Sequence, residues 1–295
     1  MKKDILNIKK DKKIGEKIFI FTALLFPLSQ FFIFYICVNI NSILFSFKSY
    51  VGADTYVFAG FSNFVQVIKD FATQWEMQIV LKNSLIMWFF NTPLMILATV
   101  IIAYSIWKKV YFSKFFSVIL FLPSIISSVV FVLIARIFII NVFPDADLLS
   151  YSNGFMTVLI IGWCLGFGSK IIYFLGAMSG ISPEIVESAK LEGVNAFQEF
   201  IHIVVPGIYQ TLISLIVLGF AHIFVDQGLI LTFFGTAADY RLRTIGYHIY
   251  VQIYSSVNYA DYPYIAAMGL LFTGITIPIV FTVKWAMEKF GPRED

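Results

Sequence analysis

Asp226, with His222 four residues before it and Gln227 beside it, interrupts an otherwise uncharged apolar run. Polar side chains in a run long enough to cross a bilayer are costly to bury, so they mark solute pathways or proton relays. On a helix His222 and Asp226 share one face, a turn apart. That spacing suits hydrogen bonding to a polar solute, lining of a gate, or a proton relay; pairing with another subunit is the structural alternative. Asn91, in mid-run just before Pro93, is a candidate of the same kind. Lys170 stands in a further apolar run, and Tyr173, three residues on, shares its helix face. Counting about 1.5 Å per residue from the span ends places Lys170 toward one side of the membrane and Asp226 toward the other. The two are therefore expected not to pair, and Lys170 is expected to snorkel or to meet another subunit.

Other chemistries are excluded. No G-x-x-x-x-G-K-[ST] phosphate loop is present, and the "GFGSK" at 166–170 is too short for one and sits inside an apolar run. Cys37 and Cys164 both lie in such runs, which argues against a disulfide framework and a thiolate metal site. The three histidines lack metal-ligand spacing, so no metal is expected. A net charge of +3, unevenly placed, speaks to membrane topology and gives no reason to expect nucleic acid as a partner.

The elements that must position these residues are membrane spans. The chain has 295 residues, of which 59% are hydrophobic and 13% charged, about half the charge of a soluble domain. Six runs of bilayer length can be read, over 18–47, 83–107, 115–140, 154–178, 208–233 and 262–283. The expected fold is an all-α polytopic membrane protein with six transmembrane helices in a lipid bilayer, the longer ones tilted. Residues 1–17 form a basic N-terminal segment, 18–290 the transmembrane domain and 291–295 a tail. The basic start leads into an apolar stretch too long for a signal h-region, without a small-residue cleavage site, so no cleavable signal peptide is expected. No internal repeat is visible.

Orientation follows from the bases. Seven lysines (Lys2, Lys3, Lys9, Lys10, Lys12, Lys13, Lys17) precede the first run, Lys108, Lys109 and Lys114 follow the second, and Lys284, Lys289 and Arg293 follow the sixth. The 143–153 loop holds Asp145 and Asp147 and no base. The positive-inside rule then places both termini, and the 182–206 loop, in the cytoplasm. In the first outer loop Ser62 is expected to cap a helix whose Phe64, Val65, Ile68 and Phe71 form an apolar stripe along the outer surface.

The loop "EIVESAKLEGVNAFQEFIHIVVPG", 184–207, is unusually polar and well punctuated. Ser182-Pro183-Glu184 is a helix start, Gly193 a left-handed stop, Asn195 with Gln198 a capping box, and Pro206 an interruption before the fifth run. Two short helices joined by a glycine turn follow. Ser188, Ala189 and Gly193 are small enough to let another surface approach. An amphipathic connector on the membrane surface is the plain alternative.

That loop resembles the EAA motif of binding-protein-dependent ABC importer permeases, E-A-A-x-x-x-G-x(9)-I-x-L-P, here Glu187-Ser188-Ala189, Gly193 and Ile203-x-Val205-Pro206. The likeness runs from about 14 to 290 and is closest to sugar-type permeases. "FAGFSNFVQVIKD", "FSVILFLPSIISSVVFVLIARIF", "YFLGAMSGISPEIVESAKLEGV" and "FVDQGLILT" carry it, while Glu192 and "FFGTAADY" depart from the family pattern. The resemblance implies a type I ABC importer permease fold with a cytoplasmic coupling helix, in a bacterial cytoplasmic membrane. It implies a second homologous permease as partner, a separate ATPase dimer that binds the ATP and magnesium, an extracellular sugar-binding protein, and a sugar substrate. This chain would hold no cofactor and do no catalysis. Glu187, Ser188, Ala189, Gly193 and Pro206 would couple to the ATPase, and Gly60 and Asn63 would touch the binding protein. Asn91, Tyr173, His222, Asp226 and Gln227 are the pathway candidates. A permease for a non-sugar solute is one alternative. An ion-driven secondary transporter using Asp226 and His222 is another, but it would call for repeats and broken helices.

Overall fold

The computed structural model describes residues 2–52, 55–255 and 261–292; Arg293 lies outside them. The chain divides into two compact units, Met1–Val65 with Asn258–Leu270, and Gln66–Val257 with Leu271–Asp295. Among the described residues four helices are long and apolar enough to cross a membrane, and two sharply bent helix pairs bring the number up to six.

In the first unit the helix Lys2–Gln30 passes through a π-helical stretch, Phe31–Cys37, into Val38–Ser46. From Phe19 to Phe34 its phenylalanines and leucines are exposed, as suits a rod whose solvent is lipid. A hairpin follows, β1 (Lys48–Gly52) antiparallel to β2 (Thr55–Phe58). The all-α expectation therefore needs one addition. The alternation of Tyr, Val and Phe over two four- to five-residue stretches is a strand pattern, and the Tyr56 ring packs on Phe45 and Tyr50. Beyond the turn at Gly60 (φ 59°), the Asn63 amide donates to the Ser46 and Lys48 carbonyls at 2.8 and 2.7 Å. It thereby satisfies acceptors left open at a helix C-terminus.

The second unit is built on two long helical elements. The rod 75–107 comprises the helix Trp75–Phe89, a π-turn Phe90–Leu94 containing Pro93, and the helix Met95–Trp107. The helix Gly154–Ser179 packs on its second half and on Ser113–Ile125. A Cβ on Gly168 would come within 2.8 Å of the Leu120 carbonyl oxygen, so glycine is what lets these helices approach.

Two expected spans are broken. The third is a pair, Ser113–Ile125 and Ser128–Val142, bent by 102° at Ile126 and Ser127, whose backbones are extended. Pro123, with no N–H to give, weakens the turn before the bend. The fifth helix, Tyr209–Ala221, stops well short of 233. The chain then turns back through 222–229, where the Asp226 carboxylate accepts the Gly228 N–H (2.7 Å) and Gly228 takes φ 56°. A short helix Ile230–Phe234, a 3-10 turn Tyr240–Leu242 and the helix Ile245–Ser255 follow.

The outer-loop helix runs over Ser62–Thr73, but its inward face carries Val67 and Asp70 while Val65 and Ile68 point outward. Asp70 stays satisfied there by accepting from Gln66 and Gln74, both at 2.8 Å. Two hydrophobic cores fill the second unit. One gathers Phe155, Val158, Leu159, Phe233 and Tyr247; the other gathers Val100, Ile171, Phe174, Met178 and Val204.

Candidate functional site

The middle of the helix Gly154–Ser179, between the two cores, borders a cavity of about 350 Å³. Its polar lining is Asn91, Ser128, Lys170 and Asp226; the rest is apolar side chains, Met87, Met95 and Leu165 among them, and the glycines 162, 166 and 228. The volume is at the lower end for small-molecule sites. Sequence counting had set Lys170 and Asp226 at different depths. The structure brings them to one cavity, because the helix that would have carried Asp226 onward ends at Ala221 and the chain folds back.

Each charge has its own anchor. At the π-turn the Met95 N–H bonds to the Phe90 and Thr92 carbonyls, and the Asn91 carbonyl meets the facing helix. There the Lys170 ammonium donates to it at 3.0 Å and meets the Met95 sulfur at 2.7 Å. Trp163, two turns earlier, donates its indole N–H to the Phe90 carbonyl (3.2 Å). π-turns recur at functional sites. Asp226 is held by Gly228, and its own carbonyl accepts from Thr244 (2.9 Å). No ion pair joins Lys170 and Asp226 among the described residues.

The remaining polar candidates lie elsewhere. Tyr173 is exposed on the helix surface; His222 is exposed, its Nδ1 within 2.8 Å of the Leu218 carbonyl; Gln227 is half-buried and does not line the cavity. The cavity thus joins Asn91 and Asp226 and leaves out the His222–Asp226 pairing.

The 182–207 loop has the expected form. Its first helix is Pro183–Leu191, with Ser182 at the cap position but making no side-chain cap bond. Gly193 takes φ 79°, and the Val194 N–H returns to the Ala189 carbonyl (3.1 Å). Asn195 and Gln198 form the capping box in both directions, at 2.9 and 3.0 Å. Val205–Gly207, holding Pro206, ends at a 70° bend into Tyr209–Ala221. Val186 and Ala189 face into the chain, while Glu187, Ser188 and Gly193 are exposed. Leu191 is 90% and Phe197 72% exposed, and Ile185 is exposed too.

Other residues that position this machinery had no signal in the sequence. Lys108 clamps Glu199 through both carboxylate oxygens, at 2.7 and 2.9 Å, with Glu199 almost fully buried. The Tyr104 hydroxyl donates to the Ala196 carbonyl (3.1 Å) and its ring meets Phe200. At the other end of the rod, Asn83 donates to the carbonyls of Arg241 (2.8 Å) and Arg243 (3.0 Å), and Ser84 accepts the Ile245 N–H (2.8 Å). Both sets pair groups over 90 positions apart, which no local pattern announces. Among the described residues no group of three His, Cys, Asp or Glu side chains could hold a metal.

A family model described as "Binding-protein-dependent transport system inner membrane component" matches residues 95–295. AmyD of Thermoanaerobacterium thermosulfurigenes, a probable starch degradation products transport system permease protein, is 24% identical. That match covers 57% of this chain and 60% of AmyD. AraP of Bacillus subtilis (strain 168), an arabinooligosaccharides transport system permease protein, is 25% identical over 86% of this chain and 82% of its own. A crystal structure of a bacterial ABC transporter that imports the acidic polysaccharide alginate contains a chain of the same fold, with a TM-score of 0.72 at 20% identity. The superposition covers 95% of this chain and 99% of that one.

Proposed function

Because the chain belongs to the binding-protein-dependent transport system inner membrane components, we propose that it forms half of the translocation pathway of an ATP-driven oligosaccharide importer. It is a multi-pass inner-membrane protein and a transport component, not an enzyme. In this reading both termini and the 182–206 loop face the cytoplasm. An ATPase dimer, which binds the ATP and magnesium, docks on that loop against Glu187, Ser188 and Gly193, with Pro206 setting the bend above it. A second, homologous permease completes the pathway, and Tyr173, His222 and Gln227 are assigned to its interface. Asn91 and Asp226, with Lys170, line the path itself. Gly60 and Asn63 are assigned to the surface that meets an extracellular sugar-binding protein. Oligosaccharides as cargo are supported by what AmyD and AraP carry.

The observation that carries this reading is the outward face of the 182–207 loop. Two capped helices with their own turn display Leu191 and Phe197 on the surface. Their exposure on a rigid frame fits a protein partner; a connector lying on the membrane would turn them to lipid instead. The test is purification of the assembly from native membranes, with ATPase activity assayed in wild type and in Leu191→Asp. Leu191 touches little of its own chain, so the variant is expected to fold, to keep the second permease and to lose the ATPase. Retention of full ATPase activity by the variant would remove the docking assignment. Purification of wild type without any ATPase would remove the importer reading.

A further inference from the structure

The cavity of the second unit brings one ammonium and one carboxylate into a single lining. We propose that it is a charge-balanced subsite for uncharged saccharide units, with Lys170 and Ser128 as donors and Asp226 as acceptor. This rests on the pathway reading above and adds the substrate class.

The polar lining holds one ammonium and one carboxylate, and these do not touch. The ammonium has three N–H donors, of which one is taken by the Asn91 carbonyl and another faces the weakly accepting Met95 sulfur. The carboxylate gives one oxygen to the Gly228 N–H and has lone pairs to spare. Held by separate partners and outside ion-pair distance of one another, the two present a strong donor and a strong acceptor to whatever enters. A sugar hydroxyl is both acceptor and donor, so a ring with adjacent hydroxyls satisfies both walls at once. Ser128, the first residue of its helix, adds a neutral hydroxyl to the lining.

An acidic sugar fares differently. Its carboxylate would be drawn to Lys170 but repelled by Asp226 across the same small cavity. With the two effects largely cancelling, nothing offsets the loss of its hydration. The cavity should therefore disfavour uronate units, whatever a structural neighbour transports.

The test uses the assembled importer in nanodiscs without binding protein, so that only the membrane subunits select. Binding of fluorescently end-labelled arabinotriose and of trigalacturonate is measured by anisotropy, in wild type and in two near-isosteric variants. Wild type should bind arabinotriose at least tenfold more tightly than trigalacturonate. Lys170→Met and Asp226→Asn should each weaken arabinotriose about tenfold or more. Asp226→Asn, which leaves the ammonium unopposed, should gain trigalacturonate binding. Equal or tighter binding of trigalacturonate by wild type, or unchanged arabinotriose affinity in both variants, overturns the proposal. Binding of neither sugar also overturns it, while a co-purified ATPase would leave the importer reading standing.

Discussion

His248 is fully buried, and neither ring nitrogen has a hydrogen-bond partner. Burial, and secondarily the Arg243 guanidinium, lowers its pKa to about 4. The folded chain therefore keeps His248 neutral where the unfolded chain, near 6.5, would take up a proton. Stability is full above about pH 6.5 and falls as the pH drops toward 4, by up to about 3 kcal/mol. Thermal melts in detergent should show this loss, and His248→Leu should flatten the curve over that window. An unchanged acid limb in the variant would assign the loss to other groups. Asn83 is a second residue whose worth is local. Asn83→Leu leaves the Arg241 and Arg243 carbonyls without their donor, at a cost of about 1–3 kcal/mol, read as a lower melting temperature. The sequence singled out neither residue, since both owe their importance to what lies across from them.

The decisive connection at the scale of elements is that between the rod 75–107 and the second short helix of the loop. Lys108 with Glu199 and Tyr104 with Ala196 tie the two together, so a push on the loop reaches the rod. The rod in turn carries the π-turn that holds Lys170. Glu199→Gln keeps the shape but removes the charge from a buried pair. It should lower stability by up to about 3 kcal/mol and weaken the response of ATP hydrolysis to substrate by about 0.5–2 kcal/mol, without releasing the ATPase. The exchange Lys108→Glu with Glu199→Lys should restore part of the response; failure of the exchange would point to packing instead of the pair. Caps and turns of this loop were legible beforehand because Asn195, Gln198 and Gly193 act within a few residues of themselves. The break after Ala221 was also written locally, in the Val-Asp-Gln-Gly sequence at 225–228. It was outweighed there by an apolar run that suited a continuous helix.

The whole molecule has a proposed sidedness, which rests on lysine placement and can be tested directly. With Cys37 and Cys164, both exposed, replaced by serine and alanine, Leu191→Cys should react with an impermeant maleimide only after the membrane is opened. Ser152→Cys, in the acidic 143–153 loop, should react in intact cells. The reverse labelling would invert the topology and with it the docking assignment. The broken third and fifth spans shape the molecule as much as the intact ones do. They admit a polar cavity between two hydrophobic cores where six straight rods would have packed shut.

By itself the sequence determined the solvent, the number of candidate spans and the helix-turn-helix of the loop. Apolar run length, base placement and capping residues act over a turn or a bilayer thickness, within reach of a linear reading. Only the tertiary structure decided that Lys170 and Asp226 share a cavity, that Ala189 faces inward, and that Lys108 holds Glu199. Each of those depends on where a helix stops and what it then lies against. A stop of a few residues moves a side chain by many ångströms in depth, and spacing along the chain does not record that displacement.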